Sequence, residues 1–249
     1  MTKRWSHYDR MAAHLAPAAE FLTARLGPVP GLVVDVGSGS GNGLRAAVAA
    51  DQPVLGLDRA FEQLDAARAV GAPQVQGDVA ALPFRTGSVA AATSNFGIIF
   101  AADPEEAFAD VARCLRPGGR LAFTAWRAGG WPQPARDVLA GRLGRRLPPF
   151  PTALGEVETA RRMLEAAGFS AHDVEAKALA WHFADVDAAV DELSEAAGGL
   201  RMLRRELEAQ GEWAAAAEAL RAVVEPLCAP TDEGVTILDH YVVHLAQLG

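Results

Sequence analysis

Asp35-Val36-Gly37-Ser38-Gly39-Ser40-Gly41 is the stretch that decides how this chain is read. It closes the short β-branched run Leu32-Val33-Val34 and opens into a helical stretch from Leu44 to Ala50. A strand, a glycine turn and a helix in that order begin an α/β sheet unit. Glycine stands at every second position after the acidic residue, which is not the dinucleotide spacing. That spacing needs Gly at 42 or 44, where the chain has Asn42 and Leu44. No Gly-Lys-Ser/Thr ends the loop, so it is not a phosphate-binding P-loop either. Alternating glycines let a ligand lie directly against backbone, where any Cβ would intrude.

Working outward, the alternation continues on both sides. Upstream, Leu15, Ala18, Ala19, Leu22 and Leu26 recur at helical spacing until Gly27-Pro28 stops the run, so residues 1–29 read as an N-terminal helix. Downstream, Val54 to Leu57 is a strand ending at Asp58, and a helix follows from about 60 to 70. Gln74-Val75-Gln76 is a short strand ending at Gly77-Asp78, and Ser88 to Asn95 is a fourth. Asp103-Pro104-Glu105-Glu106 starts a helix with Asp at the cap and Pro at the first turn. Phe108, Val111 and Leu115 face inward, Arg116-Pro117-Gly118-Gly119 breaks that helix, and Leu121 to Trp126 is the fifth strand.

Residues 127–151 read as a loop with one short helix, 156–167 as a helix closed by Gly168, and 174–183 as a strand. Helical spacing then runs through about 187–227 before a last strand over 235–245. The sheet does not need that helical block, so it reads as a cap over a substrate. The expectation is one domain over 1–249. It has a lid helix (1–29), a cofactor-binding core (30–126), and a C-terminal half (127–249) that carries the cap.

Composition narrows the classes. The chain has 249 residues, 31 acidic and 23 basic side chains and a net charge of -8, a balance that repels a phosphate backbone. No apolar run approaches the roughly 20 residues a bilayer helix needs, and the charged N-terminus has no apolar stretch of a signal peptide behind it. Cys114 and Cys228 are the only cysteines, too few for a disulfide framework or a cysteine-rich metal site. Alanine supplies 52 positions and lysine only Lys3 and Lys177 against 21 Arg, a bias of GC-rich genomes. The expectation is a cytoplasmic globular protein, monomer or homodimer, acting on a small molecule, with no nucleic acid, membrane or metal.

With these pieces in register, the chain resembles the class I S-adenosylmethionine-dependent methyltransferases, most closely the small-molecule branch of ubiquinone and menaquinone biosynthesis. The resemblance covers about residues 30–126. It rests on Asp35 to Gly41, Gly56-Leu57-Asp58, Gln76-Gly77-Asp78-Val79, Leu82-Pro83-Phe84 and Leu115 to Leu121. It implies a Rossmann-like, mostly parallel seven-stranded sheet with helices on both faces and an antiparallel last strand. The cofactor it implies is S-adenosyl-L-methionine, with S-adenosyl-L-homocysteine as product.

By that resemblance, Gly37, Ser38, Gly39 and Gly41 line the methionine portion, and Asp35 shapes the turn or meets the ammonium group. Asp58 accepts from the ribose hydroxyls, Asp78 from the adenine amino group, and the Val79 N–H lies beside the ring. Arg59 and Leu64 flank adenine and ribose, Asn95 and Phe96 stand at the methyl end, and Tyr8 folds over as a lid. Ile99, Phe100, Trp126 and Trp131 are the expected acceptor walls. Quinone-type members carry paired histidines after the fourth strand, whereas this chain has Gly97-Ile98-Ile99-Phe100. No motif marks a catalytic base, and His7, His182 and His240 are the candidates. The implied reaction is methyl transfer to oxygen or carbon of a small acceptor. The alternatives are other chemistry on the same cofactor site, or a nicotinamide-dependent oxidoreductase.

Overall fold

The computed structural model describes residues 6–249, with side chains at residues 11–195, 197 and 199–249. The first half follows the expected alternation: α1 (Ser6–Leu26), β1 (Val33–Val36), α2 (Asn42–Ala49), β2 (Val54–Asp58), α3 (Phe61–Ala67), β3 (Gln74–Gln76), β4 (Val89–Asn95), α4 (Pro104–Cys114) and β5 (Leu115–Trp126). The second half contains α5 (Pro132–Arg142), α6 (Val157–Ala166), β6 (Phe169–Phe183), α7 (Val186–Ala196), α8 (Gly198–Ala209), α9 (Trp213–Val224), β7 (Ala229–Thr231) and β8 (Gly234–Leu248).

The strand order is β3-β2-β1-β4-β5-β8-β6, with β7 paired to β8. Strands β1 to β5 pair in parallel, and β8 runs antiparallel to β5 from Arg120↔Gln247 to Trp126↔Tyr241. Because β1 lies between β2 and β4, the winding reverses there. Ligands of open α/β sheets settle beyond the carboxyl ends of the strands at such a point.

Three expectations are corrected. The sheet has eight strands, not seven. The extra strand, β7, is exposed throughout and contains Pro230, so it has no alternating pattern to betray it; it is one arm of a hairpin closed at Thr231↔Gly234. Arg116 to Gly119 do not separate helix from strand but lie inside β5. The ladder shifts between Val89↔Leu115 and Ala91↔Arg120, and Gly118 at φ 72° lets the chain bulge there. The helical block is three helices rather than one run, with Gly211 at φ 73° turning the chain between α8 and α9.

The chain divides into two compact units, with boundaries inside α1, β6 and β8. The sheet unit comprises Leu15–Arg127, Pro151–Lys177 and Tyr241–Gly249. All of β1 is buried, and so are Val89 to Ser94 of β4, whose alanines leave little side chain between sheet and helices. Leu22, Leu44, Leu57, Phe108, Phe123 and Leu164 fill its core. Asp103 caps α4 as its sequence predicts, accepting from the Glu105 and Glu106 N–H groups at 2.8 and 3.2 Å. From the same helix Asp110 accepts the Leu82 N–H, while Arg113 donates to the Leu82 and Phe84 carbonyls at 2.9 and 2.8 Å. Burial pushes the Asp110 carboxyl up, but the hydrogen bonds from Arg113 and the Leu82 N–H outweigh it and hold it below its ordinary range. That clamp is why the Leu82-Pro83-Phe84 loop is fixed.

The helical unit comprises the stretch ending at His14, Ala128–Phe150 and Ala178–His240. Leu139, Trp181, Leu193, Leu207 and Leu220 are buried in it. The Arg204 guanidinium ties its helices, reaching Asp191 at 2.7 Å, Glu195 at 3.1 Å and Glu208 at 2.9 Å and lying 4.5 Å from the Trp213 ring centre. Among the described residues, no helix is long and apolar enough to cross a membrane, and no group of three or more His, Cys, Asp or Glu is placed to hold a metal ion.

Candidate functional site

The glycine loop leaves β1 at its carboxyl end with Gly37, Gly39 and Gly41 at φ 67°, 52° and 91°, the left-handed region where a side chain is strained. Gly41 is also the residue from which α2 starts. Alternating glycine therefore answers a backbone need as well as leaving a bare surface. The nearest atom a Cβ at Gly39 would meet is 3.9 Å away, so this part of the loop borders open space. The Ser38 N–H holds the loop to β2 through the Leu57 carbonyl at 2.9 Å, and the Ser38 hydroxyl is buried with no partner among the described residues.

Asp58 ends β2 beside this loop. Its Oδ2 accepts the Gly39 N–H and its Oδ1 the Ala60 N–H, both at 2.9 Å. Each oxygen keeps a lone pair for a further donor, which suits a pair of vicinal hydroxyls. The end of β3 is tied to the same place: the Gly77 N–H reaches the Asp58 carbonyl at 3.1 Å, and Gln76 Nε2 donates to the Arg59 carbonyl at 2.9 Å. Asp78 is exposed and turns the chain through the Ala80 N–H at 3.0 Å, with Val79 half-buried beside it. Leu64 is 8 % exposed on α3.

The turn after β4 completes the arrangement. A Cβ on Gly97 would stand 2.5 Å from the Gly37 carbonyl oxygen and 2.8 Å from that of Val36, so the two loops touch backbone to backbone. Ser94 Oγ donates to the Val36 carbonyl at 2.6 Å and accepts the Ile98 N–H at 2.7 Å. Phe96 sits at φ 56°, a conformation costly for a bulky residue and typical of ligand sites. Its N–H is held by Thr124 Oγ1 at 2.8 Å, and that hydroxyl donates to Asn95 Oδ1 at 3.1 Å. Its ring stacks on Trp126 at 3.8 Å and meets Tyr241 edge-on at 5.5 Å.

Asp35 lies beneath the loop rather than on its surface. It is 1 % exposed, packed against Gly43 beneath the loop, and accepts from Thr93 Oγ1 at 3.0 Å. Burial pushes its carboxyl up to about 7 against the Thr93 hydrogen bond, and the Asp58 charge adds to the rise. A carboxylate so enclosed lies directly beneath the turn that follows it. Sequence reasoning missed Thr93 and Gly97, because neither shows its importance until β1 and β4 are side by side.

The other candidates scatter. Ile99 is 3 % exposed and Phe100 59 %. Trp131 belongs to the helical unit, as do His182, exposed and bonded to Thr236 Oγ1 at 2.9 Å, and His240, also exposed. His7 and Tyr8 fall on the backbone of α1, but their side chains lie outside the described residues. His244 is fully buried. Its Nε2 faces the Leu154 carbonyl at 3.0 Å and must donate, so its Nδ1 accepts from His172 Nε2 at 2.8 Å. Burial, with His172 beside it, pushes its pKa down to about 3, so this pair is structural. A cavity of about 560 Å³ between α1 and α2, lined by Glu20, Thr23, Arg45 and several alanines, includes none of the loop glycines.

Comparison with known proteins agrees with this geometry. Residues 34–123 match the family described as methyltransferase domain. The chain is 36% identical over 129 residues to a malonyl-[acyl-carrier protein] O-methyltransferase of Methylococcus capsulatus, covering 48% of this chain and 47% of that protein. It is 37% identical over 98 residues to a demethylmenaquinone methyltransferase of Corynebacterium kroppenstedtii, covering 39% and 43%. The chain thus spans about half the length of the curated relatives it matches. A solved protein from Bacillus halodurans shares the fold at TM-score 0.64 and 16% identity, over 93% of this chain and 98% of that one. The matched stretch, residues 34–123, is the one that carries the glycine loop, Asp58 and the turn after β4, and there the chain is similar to methyltransferase domains.

Proposed function

We propose that this protein transfers the methyl group of S-adenosylmethionine to oxygen or carbon of a small organic acceptor. The observation that carries the reading is the convergence of the bare glycine loop, the two-handed Asp58 carboxylate and the strained Phe96 at the carboxyl ends of β1, β2 and β4. When bound, the cofactor supplies a methyl group already activated on a sulfonium. The chain's own task is therefore to hold, align and exclude water.

Asp58 accepts the two ribose hydroxyls through the lone pairs its backbone partners leave free. The glycine loop lies along the methionine portion. The Asp78 carboxylate takes the adenine amino group, the Val79 N–H stands beside the ring, and Arg59 and Leu64 flank it. Phe96, Asn95 and Trp126 stand at the methyl end, where aromatic faces favour a cation. Ile99 and Phe100 border the acceptor. Oxygen as target is favoured by the O-methyltransferase among the relatives. Gly97-Ile98-Ile99-Phe100, with no histidine, favours an acceptor other than a quinone. We place the protein in bacterial biosynthetic metabolism in the cytoplasm, as a single-domain monomer or homodimer with no nucleic-acid partner.

Calorimetric titration with S-adenosylmethionine and S-adenosylhomocysteine, with NAD as control, tests the reading. The first two bind and NAD does not; NAD bound in preference would sink it. Asp58→Ala, with its circular dichroism unchanged, loses the affinity, and an unaltered affinity removes Asp58 from the ribose.

A further inference from the structure

Phe96 is the strained residue of the turn after β4, and two side chains of β5 hold it. Thr124 and Trp126 stand two apart on that strand, so they share a face. Trp126 takes the Phe96 ring at 3.8 Å, and Thr124, fully buried, takes the Phe96 N–H at 2.8 Å. Thr124 is also the register partner of Asn95 across the β4–β5 ladder. All these residues belong to the sheet unit.

A hydroxyl has one hydrogen to donate and two lone pairs. A backbone N–H can only donate, so the Thr124 oxygen accepts from Phe96 and directs its hydrogen elsewhere. That hydrogen goes to Asn95 Oδ1 at 3.1 Å. The Asn95 amide is oriented by it: the oxygen faces β5, and Nδ2 faces α1, where the Leu15 carbonyl lies at 3.4 Å. The sense of the whole chain of bonds, from Phe96 through Thr124 and Asn95 to Leu15, is set by a donor that cannot reverse. On the other side of the turn, Ser94 ties Ile98 to Val36, whereas the Thr124 bond grips the strained residue's own backbone. A bulky residue persists at positive φ only where its surroundings over-determine it. Gly97 follows at once and lies against Gly37, so a shift at Phe96 passes directly to the glycine loop.

We propose that Thr124 is a positioning residue of the cofactor site. Its hydroxyl fixes the Asn95–Phe96 turn and, through Gly97, the loop along which the amino-acid portion of the cofactor lies; the nucleoside portion is held elsewhere, by Asp58. The identity of the ligand rests on the methyltransferase reading above; the hold of Thr124 on Phe96 does not.

The test is calorimetric titration of the full chain with S-adenosylhomocysteine and with 5′-methylthioadenosine, which has the same nucleoside and no amino-acid portion. Thr124→Val keeps the shape without the hydroxyl and weakens S-adenosylhomocysteine about tenfold or more, the effect of a buried amide left unpaired. Methylthioadenosine binds it as it binds wild type, and Thr124→Ser regains the lost affinity. A merely structural loss weakens both ligands together. Near-ultraviolet circular dichroism reads the stacked Phe96 and Trp126 rings, changed in Thr124→Val and kept in Thr124→Ser. If Thr124→Val fails to fold, Thr124→Ala, which leaves the Phe96 N–H room for a water, carries the same comparisons. The proposal is overturned if Thr124→Val binds S-adenosylhomocysteine as wild type does, if both ligands weaken equally, or if Thr124→Ser behaves like Thr124→Val. A wild-type chain that binds neither ligand sinks the methyltransferase reading. The dichroism then decides the rest: a spectrum unchanged in Thr124→Val overturns the hold on Phe96, and a changed one keeps it.

Discussion

The glycine loop after β1 and the Gly130–Asp239 contact of the helical unit both press a carboxylate towards bare backbone, and they treat it in opposite ways. At the loop, each oxygen of Asp58 already holds an N–H, from Gly39 and from Ala60. At Gly130, where a Cβ would overlap its Oδ1, Asp239 is buried, and one of its oxygens has no hydrogen-bond partner among the described residues. The first carboxylate is positioned by the chain and keeps its spare lone pairs for a ligand. The second is enclosed by the chain and left unsatisfied. A region whose polar groups are anchored internally can be recognised without its ligand, whereas one that is incomplete discloses only what is missing.

The largest expected effect tests whether anchoring is what separates the two regions, through the loop carboxylate Asp35, which holds Thr93 on one oxygen and has no partner on the other among the described residues. The pKa of folded Asp35 lies at about 7, above its ordinary 3.8. Its burial therefore costs nothing below about pH 4, and the cost grows as pH rises to 7 and levels off beyond. At full linkage that is about 4 kcal/mol. Asp35→Asn is free of it, so in urea denaturation the stability of the variant relative to wild type should rise by about that amount from pH 4 to pH 8. A flat difference would mean the carboxyl titrates normally and the enclosed loop is misread.

Next in size is Asp58→Ala. It removes two charge-assisted hydrogen bonds to ribose and should weaken S-adenosylhomocysteine at least about a hundredfold, or about 3 kcal/mol. Gly97→Ala then probes the loop's rigidity. Its Cβ meets the Gly37 and Val36 carbonyls, backbone that cannot step aside, and should cost about 2 kcal/mol in the urea midpoint. Smallest is Gly199→Ala in the helical unit, where nothing lies within 4 Å of the added Cβ. It should stabilise α8 by about 0.5–1 kcal/mol. Opposite signs at Gly97 and Gly199 would show that Gly97 is required by contact and that Gly199 is not.

How much of this was legible follows the same division. Asp35 to Gly41 lie within seven consecutive positions, and Asp58 ends the very next strand, so short-range pattern alone placed the loop, β2 and the Asp103 cap of α4. The Gly97–Gly37 contact joins positions sixty residues apart and needed the pairing of β1 with β4. Asp239 reaches Gly130 across more than a hundred residues, and no periodicity forecasts that. The β7 hairpin escaped because exposed strands carry no alternation, and the bulge in β5 because Pro-Gly-Gly ordinarily ends an element rather than bending one. The expected acceptor wall at Trp131 rested on residue type alone, which says that an indole is present but not that its N–H has no partner among the described residues.

The backbone contact between Gly37 and Gly97 also has a kinetic consequence. With no side chain between them to act as a spacer, neither loop has slack to move past the other. The Ser38 amide on Leu57 and the Ile98 amide on Ser94 should therefore exchange their hydrogens in one shared opening, slowing together when a ligand binds. Two turns some sixty residues apart in sequence would then breathe as a single hinge plate.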